Sequence, residues 1–104
     1  MESKQSGKEQ PLRVVLPELY TFVTEGLEDL HNIHPYDIQL YGVEEETGYQ
    51  LIFYFGEGYS HQESIFFSHS SIEKKDSEIT DFVEKFGESC KEVMIADYFK
   101  MMKP

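Results

Sequence analysis

His31, His34 and Asp37 recur at intervals of three, and two imidazoles with a carboxylate form a donor set suited to zinc or iron. The interval crosses a helix end, a proline turn and a strand start, so the three side chains share no common face. Cap and turn duty is the reading adopted for them. A small metal-dependent enzyme built on His31, His34 and Asp37 is the alternative. His61, Glu63 and His69 share a strand parity, but extended chain would hold the two imidazoles roughly 26 Å apart, too far for one metal ion. Cys90 falls on the apolar stripe of a helix, where cysteine behaves as a small buried hydrophobe. Ser68-His69-Ser70-Ser71 sets serine beside histidine, yet neighbours on a strand face opposite ways and no nucleophile elbow is present. Gly56-x-Gly58 has no following lysine and is too little for a phosphate loop. These patterns predict no catalytic residue and no cofactor.

Charge is more informative. The 104 residues include nine Lys and Arg against twenty Asp and Glu, a net charge of −11. Positions 14–73 hold no Lys or Arg but eleven carboxylates, among them Glu25, Glu28, Asp29 and the run Glu44-Glu45-Glu46. A surface of one sign keeps a protein soluble and steers an oppositely charged partner towards it. Phosphate recognition relies on Lys and Arg, so nucleic acid is disfavoured. The expected partner is a basic protein, met by Glu25, Glu28, Asp29, Glu44, Glu45 and Glu46. Tyr41 and Tyr54 would supply contact area with little rotamer entropy, from an aromatic set that also includes Tyr36, Tyr49 and Tyr59. An antitoxin-like or immunity-like inhibitor, covering a basic active site, is one concrete form of this reading.

The lone cysteine excludes an intrachain disulfide and a cysteine-based zinc site. MESKQSGKEQ has no apolar signal-like stretch, and the run Leu51-Ile-Phe-Tyr-Phe55 is far below the roughly 20 residues of a membrane span. A cytoplasmic protein without membrane association is expected. Hydrophobic residues, at 39%, are enough for one core.

The elements that must position these residues follow from periodicity. Positions 1–10 are polar and aperiodic, a flexible tail ahead of one α+β domain over 11–104. Positions 12–16 are β-prone and read as a short extra strand or an extended lead-in. Pro17 opens a helix whose Leu19, Phe22, Val23, Leu27 and Leu30 fall on one face, and Asn32, Ile33 and Pro35 close it. Strands are expected over 37–45, 49–55 and 64–68. Glu46-Thr47-Gly48 would form the first turn, with Gly48 left-handed, setting Val43 opposite Leu51 and Tyr41 opposite Phe53. A second helix follows Asp76 or Ser77 on the stripe Ile79, Phe82, Val83, Phe86, Cys90, Val93 and Met94.

The predicted fold is therefore α-β-β-β-α: a three-stranded antiparallel meander with N- and C-terminal helices on one face. That leaves Leu40, Ile52, Tyr54 and Phe66 as an apolar second face, which monomers rarely expose. A homodimer through this face is expected, and a purely structural dimerisation domain is a further alternative.

Overall fold

The computed structural model describes residues 8–102, with side chains described as far as Asp97. Four strands form one antiparallel sheet in the order β1-β2-β3-β4: β1 (Gln10–Pro11), β2 (Ile38–Glu44), β3 (Gly48–Phe55) and β4 (His61–Ser68). Four helices accompany it: α1 (Leu12–Val15), α2 (Pro17–His31), α3 (His69–Lys74) and α4 (Ser77–Met102). The meander between two long helices is as predicted. The extra strand is not at 12–16 but just before it, at Gln10–Pro11, so part of the expected tail is paired in the sheet.

Positions 12–16 instead form a helical turn, closed by the Leu16 N–H donating to the Leu12 carbonyl at 2.8 Å. A strand would have aligned Leu12, Val14 and Leu16. The turn aligns Leu12, Val15 and Leu16, so Leu12 is fully buried under Gly42 while Val14 stays 63% exposed. Burial of Leu12 and Val15 has overridden the local β preference of the valines.

α2 follows its local signals. Pro17 starts it, and Asn32 ends it in the left-handed region (φ 57°, ψ 37°). The N–H groups of Asn32 and Ile33 then donate to the Glu28 and Leu27 carbonyls, and Ile33 is buried against the core. α2 and α4 run side by side in the same direction: Glu18 meets Lys75 at 3.6 Å, Gly26 meets Val83, and His31 meets Gly87. α3 was not expected. The Ser68 side chain caps it by accepting from the Ser71 N–H, and Lys75 ends it left-handed.

The register of the first hairpin is one residue off the expected one. Gly42 faces Leu51 and Leu40 faces Phe53, because Glu45-Glu46-Thr47 makes the turn and Gly48 already belongs to β3. Gly48 is not left-handed. A glycine is needed there for a different reason: a Cβ would run into the Phe67 carbonyl and the Ser68 backbone of β4. A slip of one residue exchanges the two faces of a strand. Ile38 and Leu40 consequently join Leu51, Phe53, Phe55 and Phe67 on the inner face, packed against Leu19, Val23 and Leu27 of α2 and Ile79, Val83, Phe86 and Cys90 of α4. The outer rows are Gln39–Tyr54–Gln62, Tyr41–Ile52–Ser64 and Val43–Gln50–Phe66. They contribute nothing to the core cluster.

Candidate functional site

Three segments meet where β2 begins, β3 ends and β4 begins. His34 is followed by a single 3-10 turn at Pro35–Asp37, held by the Asp37 carboxylate, which accepts from the His34 N–H at 3.0 Å. Beyond β3 the chain reverses through Gly56 and Gly58, both at positive φ, with Tyr59 also left-handed at φ 54°. Glycine makes this reversal affordable in backbone terms. The Tyr59 hydroxyl donates to the Tyr36 carbonyl at 2.9 Å, tying the two loops together. From α4, the Asp97 carboxylate accepts the Glu57 N–H at 2.8 Å. These ties border an open cleft of about 460 Å³, with Tyr36 and Tyr59 on its walls, Met94 on α4, and the carboxylates of Asp37, Glu57 and Asp97 around it. Among the described residues no Lys or Arg lines it. The Tyr36 ring stacks on His34 at 5.2 Å, and His34 Nδ1 lies 3.4 Å from the Glu28 carboxylate. Glu28 thus adjoins the cleft.

A cleft of tyrosine faces and carboxylates offers two complementary attractions to a positive group. The ring quadrupoles contribute about 0.5–1 kcal/mol at an exposed site, and each carboxylate about 0.2–1 kcal/mol. Asp37 and Asp97 each spend one oxygen on a backbone N–H, which fixes the carboxylate while leaving lone pairs for a ligand.

The predicted contact residues do not form one surface. Glu25 and Asp29 border a shallow groove between α2 and α4, beside Phe22 and Leu30. Glu44, Glu45 and Glu46 are at the hairpin tip, the far end of a seven-residue strand from Asp37, roughly 20 Å away. Tyr41 and Tyr54 lie edge to face at 5.6 Å on the outer side of the sheet. The Tyr54 hydroxyl donates to the Glu9 carboxylate, and that hydrogen bond is the main cause of its raised pKa.

His31, His34 and Asp37 do not converge as ligands, and among the described residues no group of three or more His, Cys, Asp or Glu is placed to hold a metal ion. His31 turns towards α4, where its Nε2 is buried without a hydrogen-bond partner among the described residues. Nor do His61 and His69 share a strand: His61 stacks on Phe55, while His69 opens α3 with its ring edge-on to Tyr49.

Cys90 is fully buried, its thiol donating towards the Met94 sulfur at 3.6 Å. Burial first, then the Asp37 and Glu63 carboxylates, push it from 9.0 to about 11, against a smaller opposing effect of Lys91. The nucleophile of thiol chemistry is the thiolate. At pH 8 native Cys90 should therefore react with an aromatic disulfide reagent at least roughly 100-fold more slowly than in denaturant, as two pKa units imply. Equal rates in a thiol-reactivity assay would refute this.

Glu57, Tyr59 and Asp97 were not singled out as site residues from the sequence. Gly56-x-Gly58 is weighed in the sequence only as a phosphate loop, and Asp97 is 40 residues from Glu57 with no spacing pattern to link them.

Compared with known proteins, the chain matches no family model, no curated protein and no solved structure. Among the described residues no helix is long and apolar enough to cross a membrane.

Proposed function

We propose that this protein is a non-enzymatic binding module for a basic protein partner, and that a Lys or Arg side chain of the partner enters the Tyr36–Tyr59 cleft. The observation that carries this reading is the cleft itself: two tyrosine walls and three carboxylates, with no basic side chain lining them among the described residues. Glu28, reached through the His34–Tyr36 stack, extends the negative surface along α2 towards Glu25 and Asp29. In this reading the cleft fixes where the partner docks, and the surrounding carboxylates raise its association rate. Glu44, Glu45 and Glu46 act at longer range, as part of the field that steers the encounter.

The test is a titration with N-acetyl-arginine amide followed by amide shifts in two-dimensional NMR, with the citrulline analogue as the uncharged control. Saturable shifts confined to the segments around Asp37, Glu57 to Tyr59 and Asp97 are expected, weakening as salt is added. Asp97→Asn keeps an oxygen for the Glu57 N–H but removes the charge, and should weaken binding about two- to five-fold. Equal shifts from arginine and citrulline probes, or shifts scattered over every carboxylate, would remove the cleft from the proposal. Lysate proteins captured by the immobilised chain should be basic, should elute with salt, and should be depleted by the same substitution.

A further inference from the structure

The three outward rows of the sheet, from Gln39–Tyr54–Gln62 to Val43–Gln50–Phe66, contain no Asp, Glu, Lys, Arg or His. In a chain that is 28% charged, with a net charge of −11, a whole sheet face without one such residue is set apart from the rest of the surface. Ile52, only 8% exposed, occupies its middle row beneath its neighbours, and Phe66, 41% exposed, is the apolar side chain it offers on its β4 side. The carboxylate known to reach it, Glu9, is occupied by the Tyr54 hydroxyl at 2.9 Å.

We propose that this face pairs with the same face of a second copy, giving a two-fold symmetric dimer. Charge selects the occupant. Among the described residues a basic partner finds one carboxylate here, Glu9, shared with the Tyr54 hydroxyl, so it gains less from the field than at the cleft with its three carboxylates. Two copies carrying −11 each repel wherever their acidic surfaces meet, and they repel least where both surfaces are neutral. A two-fold interface requires one self-complementary patch, and a neutral mixed face of Tyr, Gln, Ile and Phe meets that condition without opposing like charges. Strand spacing and length give the three-stranded face about 14 by 25 Å, roughly 350 Å² per copy. Two such faces bury less than a standard specific interface, so the dimer is weak and forms only at high protein concentration.

The dimer and the basic partner respond to salt with opposite signs. Salt screens the attraction between the acidic surface and a basic protein, but it also screens the repulsion between two acidic copies. Dimerisation tightens as salt is added, whereas partner binding loosens.

Sedimentation equilibrium on the full chain, up to about 1 mM and at low and high salt, tests this directly. The expected result is a monomer–dimer equilibrium that shifts towards dimer with salt. Phe66→Glu, confirmed as folded by circular dichroism, should raise the dissociation constant at least about ten-fold by burying an unpaired charge. Gln50→Glu and Gln50→Lys should each weaken self-association, and mixing them should restore it as a heterodimer. A wild-type chain that stays monomeric to about 1 mM, a dimer that loosens with salt, or mixed Gln50 variants that fail to pair would overturn the proposal.

Discussion

Phe53→Ala should lower the unfolding free energy by about 3–5 kcal/mol, a large part of the 5–15 kcal/mol typical of a domain. Phe53 is fully buried on the inner face of β3, with ring centroids 4.6 Å from Phe86 and 5.1 Å from Phe82 of α4. Phe82 and Phe86 stack on each other at 5.6 Å, and Phe55 meets Phe86 edge-on. Removing the Phe53 ring therefore empties the place where the sheet grips the long helix. Neighbouring rings cannot all close the gap without leaving their own contacts. Leu40→Ala provides the companion measurement, because it separates the two registers. In the expected register Leu40 faces outward and its truncation is mild. In the observed one Leu40 is buried opposite Phe53, and truncation should cost about 2–5 kcal/mol. Urea titration reads both, and a loss below about 1 kcal/mol for Leu40→Ala would return it to the outer face.

The elements set by neighbouring residues were legible in the sequence, and those set by distant ones were not. Pro17, Asn32 and Ile33 bound α2 through interactions within a few residues, so the sequence pattern located both ends. Asp76 likewise opens α4: its side chain accepts from the Ser77 N–H and its carbonyl from the Ile79 N–H. The hairpin register depended instead on whether Gly48 served the turn or the sheet. That was decided by the closeness of the β4 backbone, at residues far along the chain. The local pattern at 12–16 favours extended chain for the same kind of reason, since the helical turn depends on Leu12 finding its site beneath Gly42 of β2. The cleft is the extreme case. Its carboxylates come from a 3-10 turn, a β-turn and the last described side chain of α4, and only the fold brings them together. Sequence charge pointed to carboxylates on α2 and the hairpin, and gave no pattern that would link Asp37, Glu57 and Asp97.

Gly87→Ala should destabilise the protein by about 1–3 kcal/mol, although alanine is the better helix former by about 1 kcal/mol. Gly87 is buried in α4 with the His31 imidazole lying directly on it, where an added Cβ would overlap the ring. The approach is tight because α4 holds the end of α2 at two points, this contact and the Lys91 ammonium, which donates to the His31 carbonyl at 2.9 Å. His31 Nε2 is buried without a partner among the described residues, so the ring serves packing against Gly87. This makes the sign of the Gly87→Ala effect depend on residue 31. In a His31→Ala background the obstruction is gone, only the helix preference remains, and Gly87→Ala should stabilise by about 0.5–1 kcal/mol. A double-mutant cycle measures the coupling directly; additive effects would mean the ring does not rest on Gly87. The same cycle bears on binding. His31 precedes Ile33, His34 and Tyr36, so a displaced ring shifts the segment that forms one wall of the cleft. Gly87→Ala should then weaken the arginine probe as well, and His31→Ala with Gly87→Ala should recover stability before it recovers binding, because the wall is positioned by packing at the helix end.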